Sequence, residues 1–189
     1  MAENRVQFNL KNVHFAKLTT TESGGVITNS WATPVAMPGA VNLSLAAEGE
    51  MTPFYADGVV YYRGYKNNGY SGTLEMARIS DEFLQTILGL TLGATSKVLT
   101  ENADTEPEPF ALLFEIDGDA DEQKYVLYNC TVTRPDLSGA TTTETKEPQT
   151  ATLNVAAAPL SDGKVFARTT ADTPTATSSG WFTSVFEEA

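Results

Sequence analysis

The sequence predicts a mainly β protein, an antiparallel sandwich or barrel of about eight or nine strands flanked by one α-helix. Three observations carry that expectation. Apolar and polar residues alternate with period two along most of the 189 residues. Clusters of Gly, Pro, Asn and Asp separate these runs and read as turns. A single segment has the marks of a helix: a capping serine, acids in its first turn, an apolar stripe and a closing glycine. With 41% apolar and 19% charged residues the balance is that of a globular chain. One domain spanning 1–189 is expected.

In chain order, "RVQFNLKN" places Val6, Phe8 and Leu10 on one face and Gln7, Asn9 and Lys11 on the other. "VHFAKL" continues the strand with Val13 and Phe15. "TTTESGG" reads as a turn, and "VITNSWATPVAMPG" as a short strand followed by two prolines. "AVNLSLAA" turns Val41, Leu43 and Leu45 inward. Residues 46–58, "AAEGEMTPFYADG", carry Gly, Pro and Asp and read as a long loop, longer than the few residues of a hairpin connection. "VVYYRGY" (59–65) is a strand. "KNNG" is a turn, with Asn68-Gly69 supplying positive φ. The returning strand, 70–79, holds Tyr70, Leu74 and Met76 on one face.

Ser80 is the expected N-cap of the helix in "SDEFLQTILG". Asp81 and Glu82 complement the positive end of its dipole, Phe83, Leu84, Ile87 and Leu88 form the stripe, and Gly89 ends it. An acidic loop follows at 101–109. "FALLFEI" and "KYVLYNCTVT" flank "DGDADEQ" as a hairpin. The first strand puts Phe110, Leu112, Phe114 and Ile116 on one face; the second is apolar on both and therefore central. After a Thr-rich loop at 134–148, "TATLNVAAA" and "KVFARTT" form a last pair around "PLSDG". The C-terminus, 171–189, is a polar spacer and an aromatic arm.

The chemistry-bearing residues are few. There are 24 acids against 12 bases, a net charge of -12, and no Lys/Arg cluster, so nucleic acid and anionic membrane are repelled at long range. The start lacks a secretory pattern and no apolar run approaches the ~20 residues of a membrane span, so a soluble protein made in a cytoplasm is expected. Cys130 stands alone, in an alternating strand, as a buried small hydrophobe rather than a nucleophile. "DGDADE" fails as a calcium loop: counted from Asp117, position six is Glu122 and position twelve is Tyr128. His14 and Cys130 make no zinc or haem set. No nucleophile elbow or phosphate loop is present. No enzyme activity, catalytic residue, cofactor or metal is therefore expected. A hydrolase built on two carboxylates stays open as a rival, because it depends on distances.

What remains is aromatic. "YADGVVYYRGYKNNGYSGTLEM" (55–76) holds five of the seven tyrosines. Exposed aromatics suit interfaces because they bury large area with few torsions to freeze. Trp181 and Phe182 admit two readings: a final strand on the chain's own sheet, or an arm that binds a neighbour.

An ordered series of segments resembles one known family. It comprises "LKNVHFAKLT" near the start, "PGAVNLSLAAEGE" (38–50), "TPFYADGVVYY" (52–62), "NNGYSGTLEMA" (67–77), "FALLFEIDGD" (110–119), "YVLYNCTVTRP" (125–135) and "EPQTATLNV" (147–155). The series covers most of the chain and resembles the major tail proteins, or tail tube proteins, of long non-contractile-tailed bacteriophages (siphovirus type). That resemblance implies a sandwich with one helix, and hexameric rings that stack into a hollow tube, the conduit for DNA ejection into the host. It implies no catalytic motif. The implied partners are copies of the chain itself, other tail proteins (tape measure, tail terminator, distal tail) and passing DNA without sequence-specific binding, with no membrane. The implied location is the virion, after synthesis in the bacterial cytoplasm.

On this resemblance strands 59–65 and 70–79 join the inner sheet, the helix at 80–88 packs outside it, and the loop 46–58 reaches the next ring. The contact candidates are Phe54 and Tyr55 as anchors, Glu48, Glu50 and Asp57 as polar contacts, and Tyr61, Trp181 and Phe182. The acids face either the lumen, where they would let DNA slide, or outside solvent. A rival of another class is a β-sandwich carbohydrate or receptor-binding module, with Tyr61, Tyr62, Tyr65 and Tyr70 stacking on sugars.

Overall fold

Alternating residues and turn-forming pairs build a mainly β, antiparallel fold in the computed structural model, which describes residues 6–118, 122–141 and 148–188. The main sheet has nine strands: β1 (Gln7–Ser23), β2 (Val26–Trp31), β3 (Val35–Ala36), β4 (Ala40–Ala56), β5 (Val59–Met76), and β8 to β11 described below. Two-residue strands β6 (Thr91–Leu92) and β7 (Leu99–Thr100) pair apart from it. β8 (Phe110–Gly118), β9 (Gln123–Val132), β10 (Ala151–Ala157) and β11 (Phe166–Arg168) complete the set. The strand order is β2-β1-β8-β9-β10-β5-β4, with β3 beside β1 and β11 beside β9. The architecture is consistent with a β-sandwich.

The β1–β2 hairpin turns at Gly24 and Gly25, both with positive φ, so "TTTES" continues β1 instead of forming the expected turn. Positive φ at Asn9 and Asn12 accompanies two register shifts between β1 and β8. These shifts break the alternation read from the sequence and leave Val6 and Phe8 exposed. β10 and β11 do not pair with each other as expected. β10 takes residues 130–132 of β9 and β11 takes residues 125–127, so the central strand serves both.

The alternation of β8 separates two buried clusters. Phe110, Leu112 and Phe114 point to the larger one with Phe15, Leu74, Met76, Leu127, Cys130, Leu153 and Val155. Ala111 and Leu113 point the other way, with Leu18, Val126 and Tyr128. A register shift between β8 and β9 lets Leu127 and Cys130 face the same cluster.

Helix α1 (Asp81–Thr86) is capped as its sequence requires: the Phe83 amide donates to Ser80 Oγ at 3.2 Å. It is shorter than expected, and Gly89 takes the left-handed conformation beyond it. The helix packs on the sheet. Phe83 is fully buried and meets Phe15 and Phe110 edge to face, at centroid distances of 5.0 and 5.4 Å.

The C-terminal residues are neither a strand nor a free arm. After α2 (Thr175–Ser179), Trp181 and Val185 bury themselves in the second cluster, and Trp181 Nε1 donates to the Tyr125 carbonyl at 3.3 Å. No helix is long and apolar enough to cross a membrane, among the described residues.

Candidate functional site

Residues 46–58 are not a loop. β4 and β5 pair continuously from Ala40↔Met76 to Ala56↔Val59. The turn sits at Asp57 (φ 51) and Gly58 (φ 75), the two positive values of a tight hairpin turn whose twist matches its strands. Asn68-Gly69 is also competent to turn, yet only Gly69 has positive φ (99), and the pair forms a bulge within β5. The Gly69 amide donates to Asn67 Oδ1 at 2.9 Å, which holds the bulge. Pro53 is tolerated because β4 is the last strand of the sheet and needs no outer partner.

Beyond Glu48 and Gly69 this hairpin has left the core. Every residue from Ala46 to Tyr55 and from Val59 to Arg63 is exposed. Ten residues of strand reach about 33 Å. Cross-strand partners share a face, so one face carries Met51 with Tyr65, Pro53 with Arg63 and Tyr55 with Val60. The opposite face carries Glu50 with Lys66, Thr52 with Gly64, Phe54 with Tyr62 and Ala56 with Val59. Tyr61 is the extra residue of a second bulge.

Two glycines lie under tyrosines. An atom added at Gly49 would meet Tyr65 Oη at 3.1 Å, and one added at Gly64 would meet Tyr62 at 3.5 Å. These rings therefore cover bare backbone of the ribbon while staying 68% and 65% exposed.

Of the contact candidates, Glu48, Glu50, Phe54, Tyr55 and Tyr61 stand together on this ribbon, and Asp57 at its tip. Glu48 accepts from Ser71 Oγ at the ribbon's root. Trp181 and Phe182 are elsewhere, on the far face of β1–β8–β9. Trp181 is buried, and Phe182 stacks on His14 at 4.7 Å with Lys124 Nζ over its ring. Of the two readings for this segment, Trp181 packs on the chain's own sheet, and Phe182 is half-buried in its stack. Tyr70 is half-buried and packs edge to face on Phe166, so it is not part of an exposed tyrosine array. From the sequence Val59 and Val60 fall on a strand but are not named as contacts, and Met51 falls in a loop; the signal that places Met51 beside them is Asp57-Gly58 read as a hairpin turn.

Only one group of acids among the described residues has metal-like spacing, Glu115, Asp117 and Glu122. Lys11 fills it, with Nζ at 3.1, 2.7 and 3.5 Å from the three carboxylates. Glu115 is buried and also accepts from Asn12 Nδ2 at 2.9 Å. The hydrogen bond to Lys11, then that from Asn9, holds the Asp117 carboxyl below its ordinary range. The carboxylates in turn raise the Lys11 ammonium, Asp117 most strongly and then Glu115. This is an internal ion cluster rather than an ion site. The expected "DGDADEQ" hairpin tip lies partly at 119–121, outside the described residues. Cys130 is fully buried, and burial pushes its thiol up to about 12.

Comparison with protein-family models and with curated proteins finds no match for this chain.

Proposed function

We propose that this chain is a structural subunit that assembles with copies of itself: hexameric rings close through sheet edges and stack through the β4–β5 ribbon into a tube. The tube that fits the resemblance is the siphovirus tail tube, a conduit through which DNA passes without sequence-specific binding, and whose other partners are tail proteins. The observation that carries this reading is the ribbon. An isolated two-stranded hairpin is marginal in water, yet this one extends about ten residues past its core, with Met51, Phe54, Tyr55, Val59, Tyr61, Tyr62 and Tyr65 all more than half exposed. Docking on a partner would bury this apolar area. The 17-residue edge of β4 and the outer edge of β2 are open at opposite ends of the sheet order. Open edges are templates for pairing, and ring closure removes them.

The test is electron microscopy and sedimentation of the purified protein. Wild type is expected to form rings or tubes as concentration rises. Phe54→Ala with Tyr55→Ala is expected to give a folded monomer; tubes of normal length from that variant would reject the ribbon's role. The exposed Tyr61, Tyr62 and Tyr65 support the glycan-binding alternative, and sugar binding by a protein that never assembles would favour it.

A further inference from the structure

The ribbon needs a seat, and one surface of the same chain matches it. A groove of about 700 Å³ opens between α1 and residues 133–137. Its floor is apolar, built by Ile79, Leu84, Leu88 and Leu90. At its rim the Leu137 side chain is wholly exposed. Two of the groove's three charges cancel: Arg134 Nη1 lies 2.7 Å from Glu101 Oε1. Asp136 remains, exposed and with no hydrogen bond or ion pair among the described residues.

One face of the ribbon is the complement. Met51, Pro53, Tyr55 and Tyr65 make it apolar, and its single charge is Arg63. Arg63 likewise has no ion pair or hydrogen bond among the described residues. The opposite face is self-neutralised by Glu50 across from Lys66. An apolar face with one net positive charge thus faces an apolar groove with one net negative charge. Since the two surfaces are different patches of one chain, their pairing is head-to-tail and continues from copy to copy.

We infer that the α1 groove is the seat for the ribbon of a second copy, with the Met51–Tyr65 face down and Arg63 set against Asp136. The inference rests on the self-assembly reading and adds to it the receiving surface.

Charge exchange tests it. Arg63→Asp and Asp136→Arg are made singly and together in the full chain, and assembly is followed by sedimentation and electron microscopy. Both positions are exposed, so each variant should keep the wild-type circular dichroism. Each single reversal is expected to raise the concentration needed for assembly about tenfold or more, and the double exchange to restore it. A second arm places cysteines by Tyr65→Cys and Leu137→Cys and adds a short bismaleimide to assembled protein. Linked oligomers are expected, and the buried Cys130 does not compete. Wild-type tubes with unimpaired single variants, a double variant as defective as the singles, or assembled protein that yields no linked oligomers would overturn the seat while leaving self-assembly standing. A wild type that stays monomeric overturns both.

Discussion

At the scale of single residues, burial decides what each reactive group does. Cys130 sits in the larger core with its thiol raised to about 12, so the thiolate that alkylating reagents need is nearly absent in the native state. Iodoacetamide at pH 8 should react about a hundredfold or more slowly with native than with urea-unfolded protein, read by mass spectrometry. Equal rates would mean the strand opens freely. Tyr128 is raised to about 12 as well, first by burial and then by Glu187, Glu188 and Asp162. Both groups are held neutral, so their stabilisation is full below the ordinary thiol and phenol values and is lost as pH rises toward 12. Lys11 behaves in the same sense, because its ammonium is raised; Asp117 behaves in the opposite sense, because its carboxyl is depressed. The Lys11 cluster therefore holds from about pH 4 to about pH 10 and fails as pH falls through the depressed Asp117 value. Lys11→Met should lower the urea midpoint at pH 7, because buried Glu115 loses its cation. The difference from wild type should shrink at pH 3, and an effect of equal size at both values would count against the ion cluster.

At the scale of elements, the β4–β5 hairpin depends on two glycines with different duties. Gly58 has positive φ at the tip and nothing within 4 Å of an added side-chain atom. Gly58→Ala meets backbone strain alone, about 1 kcal/mol. Gly69 also has positive φ, but an atom added there would lie 1.8 Å from the Ala157 carbonyl oxygen. Gly69→Ala must strain the bulge and push β10 aside, so about 3 kcal/mol of destabilisation is expected. Urea unfolding of the two variants checks the order, and a Gly58 variant weaker than the Gly69 variant would contradict it. α1 was legible because its cap, acids and stripe are local. The hairpin register was less so, because Asp57-Gly58 and Asn68-Gly69 both satisfy the turn chemistry. The longer ladder formed, and Asn68-Gly69 became a bulge.

At the scale of the whole molecule, the core and the ribbon are separable. Met51 to Tyr65 contribute nothing to either buried cluster. Replacing residues 50–66 by a two-residue Asn-Gly turn, between the paired Gly49 and Asn67, should therefore leave the melting temperature and the near-ultraviolet signal of Trp31 and Trp181 close to wild type. The same protein should fail to assemble. A shortened chain that unfolds would show that the ribbon supports the core, and one that still builds tubes would remove the ribbon from the interface.

The sequence alone determined the fold class, the core face of β8, the centrality of β9 and the cap of α1, since period-two alternation and capping chemistry act over a few residues. It also drew attention to the tyrosine-rich stretch. Only the tertiary structure decided that Phe54 and Tyr55 stand on a strand rather than a loop, that Trp181 is already buried, and that Lys11 fills the acid cluster. The first turned on which of two competent turn pairs closed the hairpin, and the other two on which distant segments meet, for which a local pattern carries no term.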